Sequence, residues 1–359
     1  MIKNKYKDDI EESRLRVEAW WNHELLDRPP LLLRFRKPAG ASGICERAND
    51  ESHDEAALER AYTDPGVAIP AAKRWIESQC YEGEAFPVMC PVASVAITGN
   101  YLGCPLHLAQ DTAWSDPIID DWESRPVFRF DPANKWWKAT ERVLAAGVEQ
   151  SDGYFVSLPD LNGPTQILAQ LRSMDRLLLD FYDNPEQIKP ALREINDAWF
   201  QYWDECTRIT QPLGGFFNWM GIWSDKPATD LQSDVSCMMS REFFDEYFLP
   251  FIEEQTERIE RTVYHLDGEG AIRHLDSLLK LPKLTAIQWV AGAGAKPAVE
   301  WIPLMKKIQA AGKLVFTYCL KEDVQRLLEE LDPAALLLQV DGVADHAEAE
   351  KLIADARSR

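Results

Sequence analysis

The segment Tyr264-His-Leu-Asp-Gly-Glu-Gly270 ends an apolar run with a histidine and a carboxylate two residues apart. On a strand, residues i and i+2 point the same way, so His265 and Asp267 share a side. A second apolar run, "LVFTYCL", carries Cys319 near its end. The alternation expected there turns Cys319 inward and Tyr318 outward, as Tyr264 packs outward beside His265. Imidazole, carboxylate and thiolate form a nitrogen, oxygen and sulfur set that suits Zn²⁺. Three protein ligands leave a position open for catalysis. Two plainer readings compete. His-x-Asp-Gly also closes ordinary hydrogen-bonded turns, and a thiol at a strand end also serves as a small apolar filler.

Other apolar runs end in polar groups as well. "SLPDLNG" carries Asp160 and Asn162, and "FFNWMGIWSD" carries Asn218, Trp219 and Trp223. "AIQWVAG" carries Gln288 and Trp289, and "LLLQVDG" carries Gln339 and Asp341. Burying an unpaired polar group costs about 2–7 kcal/mol on transfer scales, so several such ends call for a reason. Asp160 and Asp341 are the candidate catalytic proton carriers, because a dry site raises a carboxyl pKa toward neutrality. Asn162, Asn218, Trp219, Trp223, Gln288, Trp289 and Gln339 are the candidate substrate-binding residues. The tryptophans could stack a methoxylated aromatic or hold a methylammonium by cation–π contact, at about 0.5–2 kcal/mol. Core packing is the plain alternative for the same rings.

These positions need a scaffold that brings strand ends together. Seven strands are expected, starting near Pro30, Tyr154, Gly215, Thr262, Thr285, Lys313 and Ala335. Most are continuous apolar runs that alternate with helical patterns, which means strands buried on both faces of a parallel sheet. Among the helices, Asn184-Pro185 with Gln187 predicts a capping box, Ser240 predicts a cap, and Pro250 predicts a kink. No Gly-x-Gly-x-x-Gly follows the first strand and no P-loop occurs, which weakens the open nucleotide-binding sheet. A (β/α)8 barrel of the TIM type is therefore expected, with an eighth strand somewhere in residues 37–150. Chemistry in that fold collects at the C-terminal ends of the strands. Residues 37–150, rich in Pro, Gly and aromatics, are expected to form a lid over the mouth of a single domain spanning 1–359. The regular repeats then occupy 150–359.

Bulk properties narrow the partners. The 359 residues include 13 Trp and carry a formal net charge of −20. Such a surface repels phosphate backbones and anionic lipid, so nucleic acid and membrane are poor partners. The N-terminus is charged, and no apolar run is long enough for a signal peptide or a membrane span, so a cytoplasmic location is expected. Seven cysteines without a C-x-x-C pair argue against a disulfide framework or a zinc ribbon.

In order and wording, "NGPTQILAQLRSMDRLLLDFYDNPEQIKPAL", "MSREFFDEYFLPFIEEQTERI" and "YHLDGEGAIRHLD" resemble the uroporphyrinogen decarboxylase superfamily, over roughly residues 150–359. That superfamily includes cobalamin-linked, zinc-dependent methyltransferases. The resemblance implies a (β/α)8 barrel with its site at the C-terminal mouth. True decarboxylases carry Arg-Gln-Ala-Gly-Arg after the first strand, and "RFRKPAGASG" lacks the second arginine here. The methyltransferase branch carries His-x-Cys and a later Cys. His265 and Cys319 match it, and Asp267 stands at the place of the first Cys. The resemblance thus implies a methyltransferase that uses Zn²⁺ held by His265, Asp267 and Cys319. It would move methyl between a small methylated compound and a corrinoid carried by a separate protein. Two alternatives are a metal-free decarboxylase or lyase on a small acid, working through Asp160 or Asp341, and a binding barrel without chemistry.

Overall fold

The computed structural model describes residues 4–37, 55–91, 97–109, 112–292 and 294–357. Ala39 and Gly40, in the stretch compared with the decarboxylase arginine motif, lie outside the described residues.

In chain order the strands are β1 (Leu31–Arg36), β2 (Gln79–Gly83), β3 (Val88–Met89), β4 (Leu106–Leu108), β5 (Ala113–Ser115), β6 (Phe155–Val156) and β7 (Phe216–Phe217). They continue as β8 (Trp223–Ser224), β9 (Ala228–Gln232), β10 (Arg261–Asp267), β11 (Ala286–Val290), β12 (Leu314–Leu320) and β13 (Leu336–Asp341). Seven of them form one sheet, ordered β2-β1-β13-β12-β11-β10-β9. Every pairing in it is parallel except β1 with β2. The seven expected strands all exist, but those near Tyr154 and Gly215 are two-residue pieces outside the large sheet. β6 pairs with β3, and the Leu158 amide donates to the Phe217 carbonyl beside it.

The large sheet has a strand in the 37–150 region, where an eighth was expected, and one, β9, that was not foreseen. β2 falls within 37–150 and runs antiparallel along β1. β9 carries the polar residues Thr229, Asp230 and Gln232, all buried, so hydropathy hides it. Apolar side chains dominate β1 and β11 through β13, as strands covered on both faces require, while β10 sets Val263, Tyr264 and Leu266 among polar residues.

Helices cover the sheet. The helix Pro185–Thr210 starts with proline in its first turn, where no amide bond is lost. Asn184 does not cap it; its side-chain amide donates to Asp180 Oδ1 at 2.7 Å. Ser240 does cap its helix, accepting from the Phe243 amide. The expected kink at Pro250 takes the form of a π-type turn over Phe244–Phe248. Proline has no N–H for the Glu246 carbonyl, and the widened turn accommodates that loss. Among the described residues, no helix is long and apolar enough to cross a membrane.

Candidate metal centre

Sheet register decides which side chains share a face. His265 lies beside Gln288, Gln288 beside Phe316, and Phe316 beside Leu337. Stepping by two along each strand adds Asp267, Tyr318, Gln339 and Asp341 to the same face. Gln339 pairs with Leu32, which brings Arg34 to that face too. A wall of polar groups therefore stands at the C-terminal edge of the parallel strands.

Cys319 is not part of it. It pairs with Val340 and follows Thr317, which lies beside Trp289 and so beside Leu266 on the opposite face. It is 5% exposed, and burial pushes its thiol up, away from thiolate. The expected alternation in "TYC" is thus inverted: Tyr318 faces the polar edge and Cys319 faces the helices. Trp289 shares that helical side, packing its ring on Trp301 at 4.9 Å.

The place expected for Cys319 is taken by Asp234. Among the described residues, one group of three could hold a metal ion: Asp234, His265 and Asp267, with donor atoms all within 4.8 Å of one another. His265 and Asp267 meet as their i, i+2 spacing requires, with Nε2 4.0 Å from Oδ2. Asp234 enters from a 3₁₀ turn, Asp234–Met238, that follows β9 directly. The Val235 amide donates to Gln166 Oε1, and the hydroxyls of Thr165 and Ser233 bond at 2.6 Å. His274, buried and stacked on Phe244, bonds through Nε2 to the Ser236 carbonyl. These ties hold the turn to the helix Pro164–Arg172 and to the turn that follows β10.

The chemistry of this trio fits a divalent cation. His265 Nδ1 lies 2.5 Å from Gln288 Oε1. An amide oxygen only accepts, so Nδ1 carries the proton and the lone pair sits on Nε2, toward the carboxylates. Oδ1 of Asp234 is buried without a hydrogen-bond partner. Burial raises the pKa of Asp234, the charge of Asp267 raises it further, and His265 opposes both. A cation would relieve the repulsion. Trp219 meets the imidazole edge-on at 5.8 Å.

The remaining candidates separate. Asp160 is buried, its Oδ1 accepting from the Asn162 amide and side chain, with Gln232 Nε2 3.1 Å from each oxygen. Asn162 takes φ 56°, and its carbonyl accepts from Trp199. Burial lifts Asp160 well above the usual carboxylate range, the charge of Asp230 adds to this, and the amide donors oppose it. Burial lifts Asp230 to about 7, and Trp219 opposes the rise. Asp230 and Asp234 had no signal in the sequence, because the polar β9 did not read as a strand. Asp341 is raised by burial, with Arg34 opposing. Tyr318 is raised by burial too, and the Gln288 amide opposes that. Asn218 closes its own turn, accepting from the Ile222 amide. Trp223 lies toward the first helix, where its carbonyl accepts from Trp21.

No family model and no curated protein matches the chain. Among solved structures, a methyltransferase from Methanosarcina mazei superposes with a TM-score of 0.63 at 14% identity, over 96% of this chain and 98% of that one. The two share a fold over nearly their whole lengths.

Proposed function

We propose that the protein is a metal-dependent methyltransferase that moves a methyl group between a small methylated compound and a corrinoid carried by a separate, partner protein. The observation that carries this reading is the Asp234–His265–Asp267 cluster, with His265 oriented by Gln288. It stands at the C-terminal edge of a sheet whose fold is shared with a methyltransferase. In this reading the large sheet and the β3–β6–β7 pieces complete a (β/α)8 barrel, and 37–150 covers its mouth. The location is cytoplasmic.

The cation assigned is Zn²⁺, which accepts imidazole and carboxylate donors. Bound there, it would act as a Lewis acid toward the heteroatom that carries the methyl group. Asp234 and Asp267 supply charge, and Gln288 keeps the Nε2 lone pair of His265 directed at the site. Trp219 forms an apolar wall beside the imidazole and excludes water from one side. Tyr318, Gln339 and Asp341, with Arg34 across from them, present donors and acceptors to the rest of a small polar substrate.

One observation favours the lyase alternative: the buried Asp160 with Asp230, whose carboxyl sits at about 7, could carry a proton without metal. A single experiment separates the two. Metal content is measured after purification without chelator, and methoxylated aromatics and methylamines are offered with a corrinoid protein while the cobalt spectrum is followed. The methyltransferase reading requires about one metal per chain, lost in His265→Ala, and metal-dependent methyl transfer. Release of CO₂ from a small acid by the metal-free protein would instead establish the lyase.

A further inference from the structure

We propose that Cys237 is an additional, thiolate ligand for the cation held by Asp234, His265 and Asp267. This rests on the metal reading above and extends its ligand set to a residue that enters on the Asp234 turn.

Three observations converge on Cys237. It lies on the same 3₁₀ turn as Asp234, three residues on. That turn has three residues per revolution, so side chains at i and i+3 eclipse, and Asp234 and Cys237 share a face. The Ser236-to-Ser233 and Met239-to-Ser236 amide bonds, both 3.0 Å, hold this geometry. From the other side, the turn after Asp267 presses on Cys237. A Cβ at Gly270 would meet the Cys237 carbonyl oxygen at 2.7 Å and its Cβ at 3.2 Å. The glycine in "DGEG" is what lets the two ligand-bearing segments touch. Finally, Cys237 is half-buried at this junction, whereas Cys319 is enclosed on the opposite face.

The sulfur is outside the tight trio of donor atoms. A change of staggered rotamer moves it without moving the backbone. On ligation the S–H bond breaks, the proton leaves to solvent, and a sulfur–metal bond forms; no electrons are exchanged. A bound divalent ion favours this, because a coordinating thiol is deprotonated outright. The set would then be one imidazole, two carboxylates and one thiolate, and the substrate heteroatom would enter as a fifth ligand, an expansion that catalytic Zn²⁺ accepts. The thiolate arrives from a loop rather than from the strand position that Asp267 fills.

The test uses the full chain, stripped with chelator and titrated with Co²⁺, whose thiolate complexes absorb strongly in the near-ultraviolet by sulfur-to-metal charge transfer. The band is expected in the unmodified protein and in Cys319→Ser. It should vanish in Cys237→Ser and Cys237→Ala while Co²⁺ still binds, at least about tenfold more weakly, the lower cost of losing even an outer-shell partner. In the unmodified protein, Zn²⁺ should also slow iodoacetamide alkylation of Cys237, mapped by mass spectrometry, by a similar factor. Co²⁺ bound without the band, a band that survives Cys237→Ser, or alkylation unchanged by Zn²⁺ overturns the inference and leaves the metal reading standing. Failure of the unmodified protein to bind Co²⁺ or Zn²⁺, or binding untouched by His265→Ala, overturns the metal reading itself.

Discussion

An imidazole binds a cation only through a nitrogen that has given up its proton, and at His265 that choice is made by Gln288. Replacing Gln288 with leucine keeps the volume nearly constant but removes the acceptor that holds the proton on Nδ1. Zn²⁺ affinity should fall by about 10–100-fold with the fold intact, as read by competition against a chromophoric chelator. Unchanged affinity would mean that Gln288 merely packs. Asp230 also makes stability depend on pH. The folded pKa of Asp230 is about 7, above the unfolded value near 4. Between these values the folded chain binds more protons than the unfolded one, so stability falls as pH rises through the window. Asp230→Asn should flatten this fall, seen as a smaller shift of the urea midpoint between buffers on either side of the window. An equally steep fall in the variant would assign the pH dependence to another group. The i, i+2 pair of His265 and Asp267 was legible because adjacency in sequence is adjacency in space on a strand. Cys319 was not, since whether it or Tyr318 faces the site depends on the register with neighbouring strands, which no local pattern records.

Elements were legible where they are apolar and obscure where they are polar. β10 through β13 announce themselves by hydropathy. β9, with Thr229, Asp230 and Gln232 buried, does not, and with it went Asp230 and, one turn later, Asp234. What keeps so polar a strand in the sheet is close packing as well as its hydrogen bonds to β10. The loop that carries Asp160 and Asn162 runs on to Gly163, where a Cβ would stand 2.0 Å from the Gln232 carbonyl oxygen. That oxygen belongs to the backbone and cannot swing aside. Gly163→Ala should therefore push the loop off β9 and destabilise the protein by about 1–3 kcal/mol, the usual range for overpacking. It should also loosen the Gln232 grip on Asp160. Urea denaturation measures the first effect, and an unchanged midpoint would show that the loop and strand are not in forced contact.

At the scale of the whole molecule, residues 37–150 were expected to cover the site rather than to form a domain of their own. Their described parts are joined to the rest by interactions that no fragment could keep. β2 has its ladder partner in β1, outside the segment. Glu84 is fully buried, and its carboxylate is held by two bonds from Arg28 and one from the Leu31 amide, all from outside. The helix Lys135–Glu149 packs its Trp137 ring 5.0 Å from Tyr202 on the helix Pro185–Thr210. An isolated 37–150 fragment would expose the β2 edge, leave Glu84 without its guanidinium and open the aromatic cluster. Removing one partner of a buried ion pair alone costs about 3–5 kcal/mol, which rivals the low end of total domain stability. The fragment should therefore show no cooperative thermal transition and no near-ultraviolet dichroism, whereas the full chain shows both. A sharp two-state melt of the fragment would mean that 37–150 has its own core and would overturn the expectation that it is no domain of its own.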